Sequence, residues 1–463
     1  MRTYLFYDIE TTGLNKAFDQ ILQFAAIRTD MNLQELNRYE LKIKLNPDAV
    51  PSPGALLTHQ ISIQDTLNGV TEYDAIRQIH QWLNEPGTIS LGYNTLNFDD
   101  EFLRFSFYRN LLPPYTHQYA NQCSRMDIYP MTVMYYLFKN TALNWLPRND
   151  KVSLKLEDIN QANQLASGRA HDAMVDVEIT LALAKRFFKE QEMWQYLQGY
   201  FNKQLDQQRI DQLKDKQAVL VEGRFGFEKN FQSWVHFLGF HRHYKNQSIW
   251  LSLDLHDFQT IPPDELISTI RTRNKKLGEP GFLLPPRERF IQQLSEERLK
   301  LAEHNQLWLQ KHPDALAKIT EHCLNYTYPD YPETDVDARL YLNGFLSKEE
   351  ETFCILFHKA SPKEKSKLAD QIHNPVLSML AIRILGRHFP DALTAQQAEK
   401  FSHYLERVNT DDEQQIIRDF KGEKRLTPKA ALEEIAALRI KGELTENKIL
   451  LLSELETYLK KNE

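Results

Sequence analysis

The spacing of apolar and polar positions predicts strands followed by helices in roughly the first 190 residues. Runs rich in β-branched and aromatic residues indicate four strands, at 3–7, 20–29, 38–45 and 88–93, the first three of which could pair as a meander. Helical spacing of apolar residues indicates three helices, at 73–83, 99–109 and 172–188. Because helices packed on a sheet form a stable layered arrangement, we expect an α/β (α+β) domain here.

The middle of the chain has a different pattern, which predicts a small β-rich domain. Residues 223–250 contain eight aromatic residues, and the alternation that follows them indicates short strands. Proline pairs at 262–263 and 285–286 mark loops. The run RTRNKK at 271–276 is interpreted as a solvated basic loop rather than as a separate site.

From Ser347 onward the pattern is helical. Ser347 and Glu350 have the spacing of a capping box, and residues 347–463 contain only three glycines. Apolar periodicity in VLSMLAIRIL and ENKILLLSELETYL indicates an antiparallel helical bundle. The pattern therefore divides the chain into three domains, at 1–192, 198–345 and 346–463.

Composition narrows the class of protein. The first ten residues include two acids, which argues against a signal peptide, and no apolar run reaches the length of a membrane span. Three widely separated cysteines fit neither a disulfide framework nor a zinc knuckle, so we expect a reduced, cytoplasmic protein without membrane contact. With 56 Lys and Arg against 63 Asp and Glu, a nucleic-acid partner requires positive charge gathered locally.

Two acids at the end of the first predicted strand are the first candidate for chemistry. Side chains alternate along a strand, so Asp8 and Glu10 point to the same face. Two close carboxylates are unfavourable unless something neutralises them, and a hard divalent cation does so. The alternative is a solvated acidic pair, which a chain with 63 acids could easily contain.

Asp99 is the second candidate, because it follows the strand TISLGY and a turn, at the start of a helix. A helix N-cap is a strong competing interpretation, for Asp99 or equally for Asp100.

His171 and Asp176 are the third candidate. A spacing of five residues is about 140° on a helix, so His171 is expected just ahead of the helix, with Asp172 as N-cap and Asp176 one turn in. A histidine beside a metal-bound carboxylate is a candidate general base. The alternative is a histidine that only caps the helix or fills the core.

Taken together, the order D-x-E, F-D and H-x4-D resembles the DEDDh exonuclease superfamily, whose exonuclease domain is RNase H-like. Nearly the whole chain is similar to the bacterial exodeoxyribonuclease I family. The matching stretches are QFAAIRTD (23–30), PSPGALLTHQI (51–61), GYNTLNFDDEFLRFSFYRN (92–110), SLKLEDIN (153–160), AHDAMVDVEITLALAK (170–185) and VDARLYLNGFLS (336–347).

The resemblance implies an SH3-like β-barrel middle domain and two-metal hydrolysis of single-stranded DNA, 3′→5′, to 5′-mononucleotides. Two Mg²⁺ ions, for which Mn²⁺ could substitute, would be held by Asp8, Glu10, Asp176 and Asp99, with His171 as general base. The implied substrate contacts are Glu10, Lys155, Arg104, Tyr115, Tyr119 and His171. Two departures stand out: Lys155 replaces a frequent arginine, and Ile9 replaces an aromatic residue found in some members.

The resemblance also implies partners and a pathway. A monomer would bind single-stranded DNA and the acidic C-terminal tail of single-stranded DNA-binding protein, for which Arg298 to Lys311 is a candidate region. DNA repair and recombination would be its pathway. Two alternatives stay open: an RNA-directed exonuclease of the same superfamily, and a non-catalytic clamp that only binds single strands.

Overall fold

The computed structural model describes residues 1–148, 151–329, 331, 333–442 and 444–462, and it has a mixed α/β fold. The strands of its first region are β1 (Thr3–Thr11), β2 (Ile21–Thr29), β3 (Glu35–Lys42), β4 (Thr88–Leu91), β5 (Ser124–Arg125), β6 (Pro147–Arg148) and β7 (Lys151–Val152). The helices are α1 (Pro53–His59), α2 (Ile63–Leu67), α3 (Glu72–Leu83), α4 (Asp99–Arg109), α5 (Ile128–Phe138), α6 (Leu156–Asn163), α7 (Ala173–Phe188), α8 (Gln191–Gln198) and α9 (Lys203–Asp211).

A five-stranded sheet in the order β3-β2-β1-β4-β5 forms the centre of this region. Strands β1, β2 and β3 pair antiparallel, which confirms the meander, whereas β4 and β5 run parallel to β1. Strand β3 lies at 35–42 rather than the predicted 38–45, and Ile43, just beyond its end, bridges Val70. The predicted helix at 99–109 is confirmed as α4.

The two faces of β1 pack against different helices. Leu5, Tyr7 and Ile9 share a core with residues of α3 and α4. Tyr4 and Phe6 share the opposite core with α5 and α7. The even-numbered positions of β1 therefore face α7, which fixes where the next two even positions of the strand point.

The middle region contains a second sheet, which is antiparallel throughout and has the order β11-β10-β9-β8-β12. Its elements are β8 (Gln217–Val221), β9 (Gln232–Phe240), β10 (Gln247–Ser252), α10 (Leu266–Thr269), β11 (Thr272–Lys276), β12 (Phe282–Leu284), α11 (Glu288–Ile291), α12 (Glu296–Lys311) and α13 (Pro313–Asn325). The run at 271–276 is thus an edge strand and not the predicted loop. Its Lys275 side chain is buried, where it pairs with Asp206 at 2.5 Å.

The C-terminal region consists of the helices α14 (Lys348–Lys359), α15 (Pro362–Gln371), α16 (Pro375–His388), α17 (Ala395–Asn409), α18 (Pro428–Lys441) and α19 (Glu446–Asn462). The predicted capping box between Ser347 and Glu350 is present at the start of α14. One apolar core joins this region to the first, because Phe18, Tyr73 and Phe105 pack in the same cluster as the C-terminal helices.

Candidate active site

Asp8 and Glu10 lie near the end of β1 on the strand face that is directed at α7. Ile9, between them, is only 4% exposed and packs on the opposite face, so the two acids project together. The pairing with β2 shifts register just after Glu10, which ends the regular strand at this point. The alternation expected from the sequence therefore places both carboxylates at one edge of the sheet.

Asp99 reaches the same edge from the other side of the sheet. Its side chain is 4% exposed, and Oδ1 accepts a hydrogen bond from the backbone N–H of Ile9 at 3.2 Å. The N-cap residue of α4 is Phe98, so the alternative that Asp99 or Asp100 caps this helix is wrong. Asp99 is instead fastened to the strand that carries Asp8 and Glu10.

The turn before Asp99 depends on two further residues. A Cβ at Gly92 would lie 2.4 Å from the carbonyl oxygen of Tyr7, so only glycine lets the end of β4 approach β1 this closely. Buried Asp127 then accepts hydrogen bonds from the backbone N–H groups of Asn94 (2.8 Å) and Leu96 (3.1 Å). Sequence reasoning missed Asp127, whose role depends on contacts with residues 31 and 33 positions away.

His171 and Asp176 come from the start of α7. Asp172 is the N-cap and accepts from the backbone N–H of Met174 at 3.2 Å, as the spacing predicts. His171 precedes it with φ at 60°, a left-handed backbone conformation that is uncommon for a residue with a side chain. This conformation turns the imidazole back toward Asp176.

The three segments converge. Ligand atoms of Glu10, His171 and Asp176 lie within 4.8 Å of one another. The carboxylate of Asp8 lies close enough to those of Asp99, Glu10 and Asp176 for their charges to interact. Side chains that are far apart in sequence thus form one acidic cluster with an imidazole at its rim, and the His171 side chain is 46% exposed.

The cluster holds its carboxyl groups in an unfavourable environment when no cation neutralises them. Burial, reinforced by the neighbouring acids, raises the pKa of Asp8 and brings that of Glu10 to about 9. Burial also raises the pKa of Asp99 to about 8 and that of Asp176 to about 6. A divalent cation would neutralise these oxygens, and carboxylate oxygens are the ligands that hard cations prefer. The residues present therefore fit a divalent metal site.

A cleft of about 840 Å³ opens beside this cluster, between the first and middle regions. Lys155, Glu157, His171 and Asp176 line its first-region wall. The residues that line it from the middle region are Glu222, Gly223, Arg224, Gly226, Phe231, Pro280 and Gly281. The cleft is thus a groove that leads to the acidic cluster from between two regions of the chain.

Glu157 is a site residue that sequence reasoning missed. Its carboxylate Oε2 lies 3.5 Å from Nε2 of His171, and its Oε1 lies 3.7 Å from the Lys155 ammonium. Lys155, one of the predicted substrate contacts, is 69% exposed in the cleft. The available signal was the stretch SLKLEDIN, which contains Lys155 and Glu157 and which the resemblance already included.

The predicted contacts of the basic and aromatic run have differing environments. Arg104 is 5% exposed, and its guanidinium donates to Asp100 and Glu101 and lies over the half-buried Tyr115 ring at 5.7 Å. Tyr119 is 69% exposed. The roles of Arg104, Tyr115 and Tyr119 in binding substrate stay predictions.

Asp100, next to Asp99, is the centre of a buried charge network. It accepts from Arg125 at 2.6 Å and Arg104 at 2.7 Å, and it lies 2.9 Å from the His117 ring. Arg125 also pairs with Glu279 of the middle region at 3.2 Å. Burial would raise the pKa of Asp100, but the charges of Arg104 and Arg125 outweigh it and hold this pKa below its usual range.

Comparison with known proteins agrees with this geometry. The chain matches the Exonuclease family over residues 5–184 and the Exonuclease I C-terminal domain over residues 334–462. It is 29% identical to exodeoxyribonuclease I of Escherichia coli (strain K12), over 91% of this chain and 94% of that one. The Haemophilus influenzae exodeoxyribonuclease I is 27% identical, over 87% and 89% of the two chains. The chain thus combines an Exonuclease domain with an Exonuclease I C-terminal domain.

The fold comparison extends over the full length. The structure of E. coli exonuclease I in complex with a dA16 oligonucleotide has a TM-score of 0.88 at 25% identity and covers 100% of both chains. A zinc-bound form of the E. coli protein with single-stranded DNA has a TM-score of 0.87, also at 25% identity. Within the part of the chain that the structure describes, no helix combines the length and apolar character that crossing a membrane requires.

Proposed function

We propose that this chain is an exodeoxyribonuclease that degrades single-stranded DNA from the 3′ end and releases 5′-mononucleotides, with Mg²⁺ as its metal. The observation that carries the proposal is the convergence of Glu10, His171 and Asp176 within 4.8 Å, beside Asp8 and at the end of a groove. Support for the substrate comes from the E. coli relative, whose structure contains a dA16 oligonucleotide.

In this proposal Asp8, Glu10 and Asp176 would hold a divalent metal ion, and Asp99 would support a second one. When bound, the ions supply positive charge to the attacking and leaving oxygens of an in-line displacement. His171 takes the proton of the attacking water on a ring nitrogen, since its half-exposed imidazole lies at the rim of the acidic cluster. Glu157, 3.5 Å away, orients that ring.

The three predicted domains, at 1–192, 198–345 and 346–463, belong to the same proposal. The antiparallel sheet of the middle region supports an SH3-like domain, and helices α14 to α19 support a helical C-terminal domain. Docking of the tail of single-stranded DNA-binding protein between Arg298 and Lys311 stays a prediction, as do the monomeric state, the cytoplasmic location, the role in repair and recombination, and the use of Mn²⁺.

The test is digestion of one single-stranded DNA carrying a label at either end, with Mg²⁺ or with EDTA. We expect the 3′ label to leave at once as a mononucleotide, the 5′ label to persist until late, and EDTA to stop both. A matched RNA strand should be degraded far more slowly. Early release of the 5′ label would contradict the direction, equal degradation of RNA would contradict the substrate, and binding without product would indicate a clamp.

A further inference from the structure

A second cavity, of about 460 Å³, lies in the middle region, and its walls are strongly basic. Lys229, Arg271, Arg273 and Arg298 line it, together with His256 and a single acid, Asp254. We define these six residues as the basic pocket. None of them belongs to the catalytic cluster, and none lines the groove that leads to it.

The only acid of the basic pocket is already neutralised. Asp254 accepts from the hydroxyl of Ser233 and from the Arg298 guanidinium, each at 2.5 Å. Among the described residues, no carboxylate lies within 4.0 Å of the charged groups of Lys229, Arg271 or Arg273. The pocket therefore keeps three positive charges without a counter-ion in the described part of the chain.

The guanidinium groups are positioned by the fold. Arg271 directly precedes edge strand β11 and Arg273 is the second residue of that strand, so alternation along an extended chain places the two side chains on one face. The Arg273 guanidinium lies over the Phe225 ring at 5.1 Å, and its buried Nε has no hydrogen-bond partner. Arg298 donates to the backbone carbonyls of Lys229 (2.8 Å) and Gln232 (2.5 Å). An anion would meet donors that are already oriented.

The segment 222–231 runs between the basic pocket and the groove that leads to the acidic cluster. Gly223, Arg224 and Gly226 line the groove, whereas Lys229 lines the pocket, and Phe225 between them packs under Arg273. A strand that follows this segment away from the acidic cluster would bring its backbone toward Lys229 and Arg273. Leu255 is the one apolar residue in the pocket wall, so the pocket suits a phosphate better than an apolar side chain.

We propose that the basic pocket binds a backbone phosphate of the single-stranded DNA, on the 5′ side of the nucleotides held at the catalytic cluster. This inference rests on the proposed function and adds to it a distal contact that only long substrates reach. It also accounts for how a chain of net charge −7 holds a polyanion, because positive charge is gathered at one place beside the groove.

The test compares two charge-matched double variants. Arg271→Gln with Arg273→Gln removes two pocket cations, whereas Lys245→Gln with Lys318→Gln removes two exposed cations elsewhere in the same region. The measured quantity is kcat/KM for a strand of about 30 nucleotides divided by that for a trinucleotide, since a distal contact affects only the longer strand. We expect the pocket variant to lower this ratio about tenfold and the control to leave it within twofold.

Salt dependence gives a second readout. For the long strand bound in EDTA, the slope of log Kd against log salt should become shallower by about 0.7 for each phosphate that the variant no longer neutralises. An unchanged ratio together with an unchanged slope would overturn the pocket while leaving the nuclease intact. If the unmodified protein released no mononucleotide from the trinucleotide, the proposed function itself would instead be overturned. Weaker binding of a hexa-aspartate peptide with unchanged DNA binding would reassign the pocket to an acidic peptide.

Discussion

At the scale of single residues, Glu10 is the most informative position in the proposed site. Its carboxylate lies close to that of Asp8, two positions earlier on β1, and to that of Asp176 on α7. Changing it to glutamine keeps the shape but removes a charge that the metal requires. Even residues that only support metal ligands contribute about 10- to 100-fold to activity.

We therefore expect Glu10→Gln to lower kcat by at least about a hundredfold while single-stranded DNA still binds. The matched control is Glu178→Gln on α7, where Glu178 pairs with Arg38 away from the cluster. Mononucleotide release in Mg²⁺ measures the first effect, and fluorescence anisotropy in EDTA measures binding. Turnover of Glu10→Gln at the rate of the control would remove Glu10 from the metal site.

His171 carries a separate prediction, since it is expected to handle the proton rather than the metal. His171→Ala should lower kcat by about 10²- to 10⁴-fold and change KM little. His243→Ala, an exposed histidine of the middle region, is the control. A loss smaller than tenfold would indicate a histidine that only shapes the end of the loop before α7.

The raised pKa values of the cluster predict how stability depends on pH and metal. Glu10 (about 9), Asp99 (about 8) and Asp176 (about 6) all titrate above their ordinary pKa values in the folded state. Between about pH 5 and pH 9 these carboxyl groups bind more protons in the folded, metal-free protein than in the unfolded chain, so the stability that they contribute falls as pH rises. Bound Mg²⁺ replaces those protons and should oppose the fall.

Melting curves at several pH values, in EDTA and in Mg²⁺, measure this linkage. We expect Tm in EDTA to decline from pH 7 to pH 9, above the range in which buried histidines such as His59 and His388 gain protons on unfolding, and the gain from Mg²⁺ to increase over the same interval. Glu10→Gln should flatten the decline because it removes the group with the highest pKa of these three carboxyls. A gain from Mg²⁺ that is independent of pH would separate metal binding from these carboxyl groups.

At the scale of elements, helix α4 shows that the sequence can locate a residue without revealing its physical role. The range of α4 and the placement of Asp99 at its start follow from apolar spacing and turn residues. The roles of Asp99 and Asp100 do not, since their partners Ile9, Arg125 and His117 come from other elements. Local pattern predicts an N-cap here, and long-range contacts replace it.

The other features of the site also divide into local ones, which the sequence predicts, and ones that depend on tertiary contacts, which it does not. The strand alternation that joins Asp8 to Glu10 and the capping of α7 by Asp172 are local, so the sequence predicts them. The contact of His171 with Glu157 and the support of the turn by Asp127 depend on tertiary packing. The basic run at 271–276 has the composition of a loop because charge dominates it, although it pairs with β10 over five residues.

The buried ion pairs of Asp100 lead to a prediction about the free energy of unfolding. Asp100→Asn leaves Arg104 and Arg125 buried without their common counter-charge, and breaking such a pair costs about 3–5 kcal/mol. We expect urea unfolding to show a loss of that size, whereas Asp264→Asn at an exposed position of the middle region should change stability little. Equal stability of the two variants would show that the network is neutral overall.

At the scale of the whole molecule, the first and C-terminal regions share one apolar core. Phe18, Tyr73 and Phe105 of the first region pack with Leu380 and Leu452 of the C-terminal helices. Asp48 of the first region accepts from Arg387 at 2.7 Å and from the Tyr404 hydroxyl at 2.6 Å, and it pairs with Arg425 at 3.6 Å. The shared apolar core and the ion pairs of Asp48 thus connect the sheet of the first region to the C-terminal helices.

Because the two regions share this core, we expect them to unfold together. Asp48→Asn leaves two buried arginines short of a counter-charge and should cost about 3–5 kcal/mol, whereas Asp370→Asn, exposed at the end of α15, should cost little. Nuclease activity reports the first region, whereas helical circular dichroism reports the helices of all three regions, including α14 to α19. In urea both signals should shift to lower concentration by the same amount. If activity fell at a lower urea concentration than the helical signal, the ion network would join two regions that are stable separately.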